Sequence, residues 1–268
     1  MNLSEVKLVV TDMDGTLLNS KHEVSDLFFE QFEGLKKNNI HFVAASGRQY
    51  HSILDKLKSI QEDITIVAEN GAYIVRNGET LYVNVIPVEK IKELLPRCQA
   101  IEGAQVVVCG KKKAYLLKNT SKQFQNTISE YYSSYEIVES FDLLPDDDFF
   151  KIALCHYDGS ENNIYPYLKH LENQWQVKIS GELWIDISQK SAHKGNAISQ
   201  IQKQFNVSIK QTMAFGDYNN DVEMLKLAGY SFAMENAHPN IKRVANFTTL
   251  SNDNNGVEVI LKKLLSNL

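Results

Sequence analysis

The chain has 268 residues, 43% of them hydrophobic and 23% charged, the composition of a soluble globular protein long enough to bury a core without disulfides or structural metals. Its 28 basic and 33 acidic side chains leave a formal net charge of -5, which gives no global attraction for a polyphosphate backbone and argues against nucleic acid as a partner. Three scattered cysteines, Cys98, Cys109 and Cys155, form no C-x-x-C pair, against both a disulfide framework and a zinc site.

In chain order, the start Met1-Asn2-Leu3-Ser4-Glu5 has no basic n-region and no sustained apolar h-region. No stretch approaches the roughly 18 apolar residues of a membrane span, so the expectation is a cytoplasmic protein that does not engage membranes. Residues 6–10 (VKLVV) predict a buried strand ending at the polar turn TDMDGT. Ser25 can cap a helix whose apolar positions Phe28, Phe29, Phe32 and Leu35 recur at helical spacing. A second strand at 41–45 ends at Ser46-Gly47-Arg48, a helix follows over 49–59, and a third strand at 64–68 ends at Glu69-Asn70-Gly71. Strand alternating with helix predicts an α/β fold with a doubly wound parallel sheet, whose sites form beyond the carboxyl ends of the strands. All three polar turns fall at such ends.

Asn77-Gly78, between Tyr73-Ile74-Val75 and Leu81-Tyr82-Val83, predicts a β-hairpin. From Pro87 the rhythm changes. Helices expected at 88–101, 121–132 and 161–173 mix with strands at 105–109, 114–117, 149–155 and 176–179, an α+β insertion. After 184–187 the first rhythm returns, with a helix at 194–205, a strand at 212–215, the turn GDYNND and a strand at 230–233. The expected organisation is a discontinuous core, 1–83 and 184–268, with an inserted cap at 84–183. The runs Lys111-Lys112-Lys113 and Asp146-Asp147-Asp148 read as solvated loops.

Asp12-Met13-Asp14-Gly15-Thr16 puts two carboxylates in one turn after a buried strand. Asp12 can attack an electrophile, while Asp14 protonates the departing oxygen and then activates water, dividing one hard step into two. That role predicts an Asp14 carboxyl kept partly protonated by its like-charged neighbour. A calcium loop fails here, because Leu17 stands where such a loop requires glycine. In Gly216-Asp217-Tyr218-Asn219-Asn220-Asp221, Asp217 is a natural Mg²⁺ ligand and Asp221 a supporting carboxylate. Helix capping would explain one of these aspartates but not the whole set.

Asp12, Asp14, Asp217 and Asp221 could gather four negative charges, and a phosphate monoester adds nearly two more. Two unit charges 4 Å apart interact by roughly 4 kcal/mol at an effective dielectric of 20, so such a site needs Mg²⁺ and a cationic side chain. Lys194, opening a helix where the core resumes, is the candidate. Ser46-Gly47-Arg48 supplies a hydroxyl and backbone N–H groups at a strand-to-helix turn, a phosphate cradle or a plain N-cap. Arg48 touches substrate or braces the turn. No nucleotide-binding or dinucleotide-binding glycine loop occurs.

Together, DMDGT (12–16), SGR (46–48), Lys194-Gly195 and GDYNND (216–221) resemble the four ordered motifs of the haloacid dehalogenase (HAD) superfamily. The insert between the second and third motifs resembles the C2-type cap of its Cof subfamily, and Glu69-Asn70-Gly71-Ala72 is also similar to a Cof-like sequence. Stretches such as FVAASGRQY, VAENGA and NDVEMLKLAGYSFAMENA look like those of its sugar phosphatases. The resemblance implies a Rossmann-like core with a C2 cap and a Mg²⁺-dependent phosphatase acting on sugar phosphates. It implies Asp12 as nucleophile and metal ligand, and Asp14 as general acid/base with its backbone carbonyl on Mg²⁺. Ser46 would hold a phosphoryl oxygen and Lys194 neutralise charge between Asp12 and phosphate. Asp217 would ligate the metal with Asp221 supporting it, and Met13, Gly47, Arg48, Asn70 and Asn220 would contribute to the phosphate site. In the cap, residues 109–112 and 180–184 are the expected specificity elements. The expected assembly is a monomer or weak homodimer. Two alternatives stand beside this reading: a sugar phosphomutase, and a phospho-accepting signalling module, which an acid/base Asp14 disfavours.

Overall fold

The computed structural model describes residues 3–268; the terminal reading at Met1 and Asn2 lies outside them. Fourteen strands are recorded among the described residues, in two sheets. The first sheet contains β1 (Leu8–Thr11), β2 (His41–Ala45), β3 (Thr65–Ala68), β4 (Tyr73–Arg76) and β5 (Glu79–Val83). The chain then builds a second sheet from β6 (Gln105–Gly110), β7 (Ala114–Leu117), β8 (Tyr135–Val138), β9 (Phe149–Cys155), β10 (Gln176–Ile179) and β11 (Trp184–Ser188). It returns to the first with β12 (Thr212–Gly216), β13 (Tyr230–Ala233) and β14 (Phe247–Thr248).

The order of the first sheet is β14-β13-β12-β1-β2-β3-β4-β5. Strands from β14 to β3 run parallel, and the hairpin β4–β5 closes one edge in antiparallel pairing. Every residue of β1, β3 and β12 is buried, as strands covered on both faces require. The chain leaves β1 toward β2 on one side and comes back to β12 on the other, which makes β1 the topological switch point where clefts form. Thr11 lies level with both Ala44 and Phe215, so the turns after β1, β2 and β12 emerge together.

The second sheet, β10-β11-β9-β6-β7-β8, is antiparallel except where β7 runs with β8. Side chains alternate across it. Val108, Ile152, Leu154, Ile185 and Ile187 pack in one cluster with the helix Val88–Gln99. Val107, Cys109, Ala153, Cys155 and Trp184 face the other way, against Phe124 and Ile128 of the helix Lys122–Tyr131.

Trp184–Ser188 pairs with β9 and β10 and completes this second sheet, whereas the expected boundary had put it with the returning core. Its run of buried residues suits either sheet, and pairing partners are not legible from an apolar run alone. The expected helix over 161–173 is broken into Ser160–Asn163, Tyr165–Leu168 and a 3₁₀ turn, Lys169–Asn173. Pro166 removes one amide donor inside it. No helix among the described residues is long and apolar enough to cross a membrane.

Candidate active site

Asp12 follows β1, and its backbone N–H still donates to Phe215 O in the ladder with β12, at 3.1 Å. Lys194 is the first residue of the helix Lys194–Phe205, capped by the His193 ring, whose Nδ1 accepts from Asn196 N. The lysine is fully buried and donates to Asp12 Oδ1 at 2.5 Å and to Asp221 Oδ1 at 2.7 Å. Asp221 Oδ2 in turn accepts from the backbone N–H groups of Asp217 and Tyr218. Asp221 therefore fixes both the lysine and the turn that presents Asp217.

Gly15 is required by what faces it. Its φ is +73°, and a Cβ there would lie 2.3 Å from Asp217 Oδ2. Only glycine lets the turn after β1 and the carboxylate after β12 approach this closely. Thr16 Oγ1 also reaches Asp217 Oδ1, at 3.4 Å.

Asp12, Asp217 and Asp221 each offer a carboxylate oxygen, all within 4.8 Å of one another. Hard oxygen donors clustered in this way are what Mg²⁺ takes. Electrostatics points the same way. Burial, with the charges of Asp221 and Asp14, outweighs Lys194 and pushes the Asp12 carboxyl up to about 7. Burial and the neighbouring Asp12 and Asp221 push Asp217 well above the usual carboxylate range. Lys194 is held protonated by Asp12 and Asp221, which overcome the cost of its burial. One lysine does not offset three carboxylates, and a divalent cation fits the deficit.

Asp14 departs from expectation. Arg48 grips it side on, Nε to Oδ2 at 2.7 Å and Nη2 to Oδ1 at 2.6 Å, and His22 Nδ1 stands 3.5 Å from Oδ1. Burial alone would raise this carboxyl, but the hydrogen bonds from His22 and Arg48, with the Arg48 charge, overcome it and hold the group at about 2. The like-charge argument for a partly protonated Asp14 is thus overturned by cations that the turn sequence does not reveal.

The Ser46 turn is no helix cap: the next helix, Tyr50–Lys56, starts four residues later with Gln49 as its cap. Ser46 Oγ instead accepts from Arg48 N at 3.1 Å. Asn70 lies behind this turn. Its Nδ2 donates to Asp186 Oδ2 at 2.5 Å, and its Oδ1 accepts from Asn220 Nδ2 at 3.0 Å. Met13 is buried, its carbonyl accepting from Thr16 and Leu18.

These groups open into a cavity of about 400 Å³ between the two sheets. Asp12, Asp14, Ser46, Gly47, Arg48, Asp217 and Asn220 line one side, with Lys194 and Asp221 bonded directly beneath Asp12. The far wall is residues 180–184, one of the two segments expected to read the substrate, with Tyr131, Tyr132, Lys151 and Asp186, which sequence reasoning missed. Residues 109–112 do not line it; Lys111 and Lys112 border a different cleft. Lys151 and Asp186 had left a trace, since each is a lone charge inside an otherwise apolar strand, FFKIALC and WIDIS.

A family profile described as haloacid dehalogenase-like hydrolase matches residues 9–261. The chain is 32% identical over 262 residues to the 5-amino-6-(5-phospho-D-ribitylamino)uracil phosphatase YbjI of Escherichia coli, covering 97% of this chain and 96% of that one. It superposes on SMU.1108c from Streptococcus mutans with a TM-score of 0.92 at 35% identity, covering 97% and 99% of the two chains. A haloacid dehalogenase-like hydrolase from B. subtilis gives a TM-score of 0.86 at 25% identity, covering 96% and 99%. With this fold and this profile, the chain belongs to the haloacid dehalogenase-like hydrolases, of the Cof type, and is an enzyme that hydrolyses phosphoric monoesters.

Proposed function

We propose that the chain is a Mg²⁺-dependent phosphatase of small phosphorylated metabolites, sugar and polyol phosphates first among them, working through a phosphorylated Asp12. The observation that carries this reading is the buried Asp12 carboxylate bonded to Lys194 at 2.5 Å at the floor of a cavity large enough for a small metabolite. The E. coli relative, by its name, acts on a compound whose phosphate sits on a ribityl chain, which supports a polyol-type leaving oxygen.

Asp12 attacks phosphorus, its Oδ1 steadied by Lys194, which also offsets charge on the phosphoryl oxygens. Ser46, whose Oγ already accepts from Arg48 N, has its own proton free to donate to a phosphoryl oxygen. Asp14, turned from Arg48 and protonated, gives its proton to the leaving oxygen as that oxygen's bond to phosphorus breaks. The carboxylate so formed then takes a proton from the water that attacks phospho-Asp12, and phosphate departs with Asp12 restored. Asp12 and Asp217, with Asp221 supporting them and the Asp14 carbonyl beside them, would hold Mg²⁺, which when bound supplies the positive charge this carboxylate cluster lacks. The wall from the second sheet excludes water and selects the alcohol portion.

Phosphate release measured across a panel of sugar and polyol phosphates, with and without Mg²⁺, tests the reading. Mg²⁺-dependent release in proportion to substrate lost supports it. Substrate consumed with no free phosphate would instead indicate a mutase, and a lasting phospho-Asp12 without turnover a signalling module.

A further inference from the structure

Lys151 stands at the middle of β9, in the second sheet, with its side chain only 4% exposed. Its ammonium donates to Gly47 O at 2.6 Å and to Asp186 Oδ2 at 3.2 Å, and it is ion-paired with Glu69 Oε2 at 3.1 Å. Glu69 and Asp186 together hold it protonated, overcoming the penalty of burial. A buried ion pair of this kind is weak evidence for stability, since desolvation consumes most of the attraction. Its value lies in what it orients.

Gly47 O belongs to the Gly47–Arg48 peptide, which is trans like every described peptide. In a trans peptide the carbonyl and the amide hydrogen lie in one rigid plane and point in opposite directions within it. With Lys151 holding the carbonyl, the Arg48 N–H is aimed at Ser46 Oγ, where it donates at 3.1 Å. The same turn is gripped from behind: Asn70 N donates to Ser46 O at 2.9 Å and Glu69 N to Arg48 O at 3.1 Å. Glu69 and Asn70 hold φ of +52° and +55°, a left-handed conformation that two successive non-glycine residues rarely adopt. Strain of this sort persists where surrounding contacts demand it. Here Glu69 binds Lys151, and Asn70 binds Asp186.

We propose that Lys151 is a positioning residue for the phosphoryl site: it sets the direction of the Ser46 hydroxyl through the Gly47–Arg48 peptide, and does so from the second sheet. The cradle is then fully formed only when the two sheets sit together as they do here. This rests on the phosphatase reading above for what the cradle holds.

The test uses the full chain with Mg²⁺, p-nitrophenyl phosphate as substrate and inorganic phosphate as competitive inhibitor. Two variants are compared with wild type, Lys151→Met and the double variant Glu69→Gln/Lys151→Met. Lys151→Met leaves two buried carboxylates without their cation, Glu69 and Asp186. The double variant neutralises Glu69, while Asp186 keeps its hydrogen bond from Asn70 Nδ2, so it remains folded if the charge left by the first destabilises the chain. In the folded variant, Ki for inorganic phosphate should rise about tenfold and kcat/KM fall roughly ten- to a hundredfold, the effect of a misplaced contact group. A shifted melting temperature with Ki and kcat/KM within about twofold of wild type would overturn the proposal and leave Lys151 a purely structural bridge. Should wild type release phosphate from no ester, the phosphatase reading fails separately. Inorganic phosphate binding to wild type and variants, followed by calorimetry, then decides the role of Lys151.

Discussion

Arg48 holds Asp14 by two hydrogen bonds from one edge of its guanidinium, with the centre of the Tyr131 ring 5.0 Å from the guanidinium carbon on the side of the second sheet. The arginine side chain is 1% exposed and the aspartate side chain 33%. Removing one partner of a buried pair costs roughly 3–5 kcal/mol, and solvent reaching Asp14 lowers that to about 1–2. Asp14→Ala should therefore lower thermal stability as well as slow breakdown of the phosphorylated intermediate. Calorimetry and steady-state phosphate release check the two effects; unaltered turnover would remove Asp14 from the acid/base role.

Metal dependence follows from the carboxylate cluster. Chelation by EDTA should abolish phosphate release and added Mg²⁺ restore it. Because binding to the native state alone stabilises it, saturating Mg²⁺ should also raise the melting temperature. Asp217→Asn should lose both responses. A melting temperature indifferent to Mg²⁺ in wild type would count against a site at Asp12 and Asp217.

How much of this was legible beforehand differs between the two sheets. Asp12, Ser46, Lys194 and Asp217 stand at strand ends or a helix start, and the local pattern of apolar runs and polar turns locates such places. The same pattern locates Asp14 but does not reveal its ionisation, because Arg48 and His22 reach it from separate turns. Lys151 and Asp186 sit mid-strand, 35 residues apart. Their meeting depends on the pairing of β9 with β11 and on how the second sheet faces the first, neither of which is written in periodicity. The same dependence misplaced the boundary at Trp184.

Trp184 lines the cavity from the second sheet, its ring packed edge-on to Tyr131. Trp184→Ala should raise KM for sugar phosphates about five- to tenfold with kcat little changed, the pattern of lost binding shared by ground and transition states. A loss confined to kcat would place the ring in the chemistry instead.

The cysteines should be inert in the native state. Burial pushes Cys98 and Cys155 up to about 12 and Cys109 higher still. A raised thiol pKa means protonation is retained through neutral and mildly alkaline pH, so the reactive thiolate is scarce. A chromogenic disulfide reagent at pH 8 should react with no cysteine of the folded chain and with all three in denaturant. Prompt native labelling would contradict the packing around β6 and β9.

Phosphate release by Asp12→Asn, compared with wild type on the best substrate at saturating Mg²⁺, is the most direct test of the account. The amide keeps the shape of the side chain but cannot attack phosphorus, and the account predicts a folded protein whose turnover falls by about four orders of magnitude or more. Turnover within about tenfold of wild type in that folded variant would contradict it.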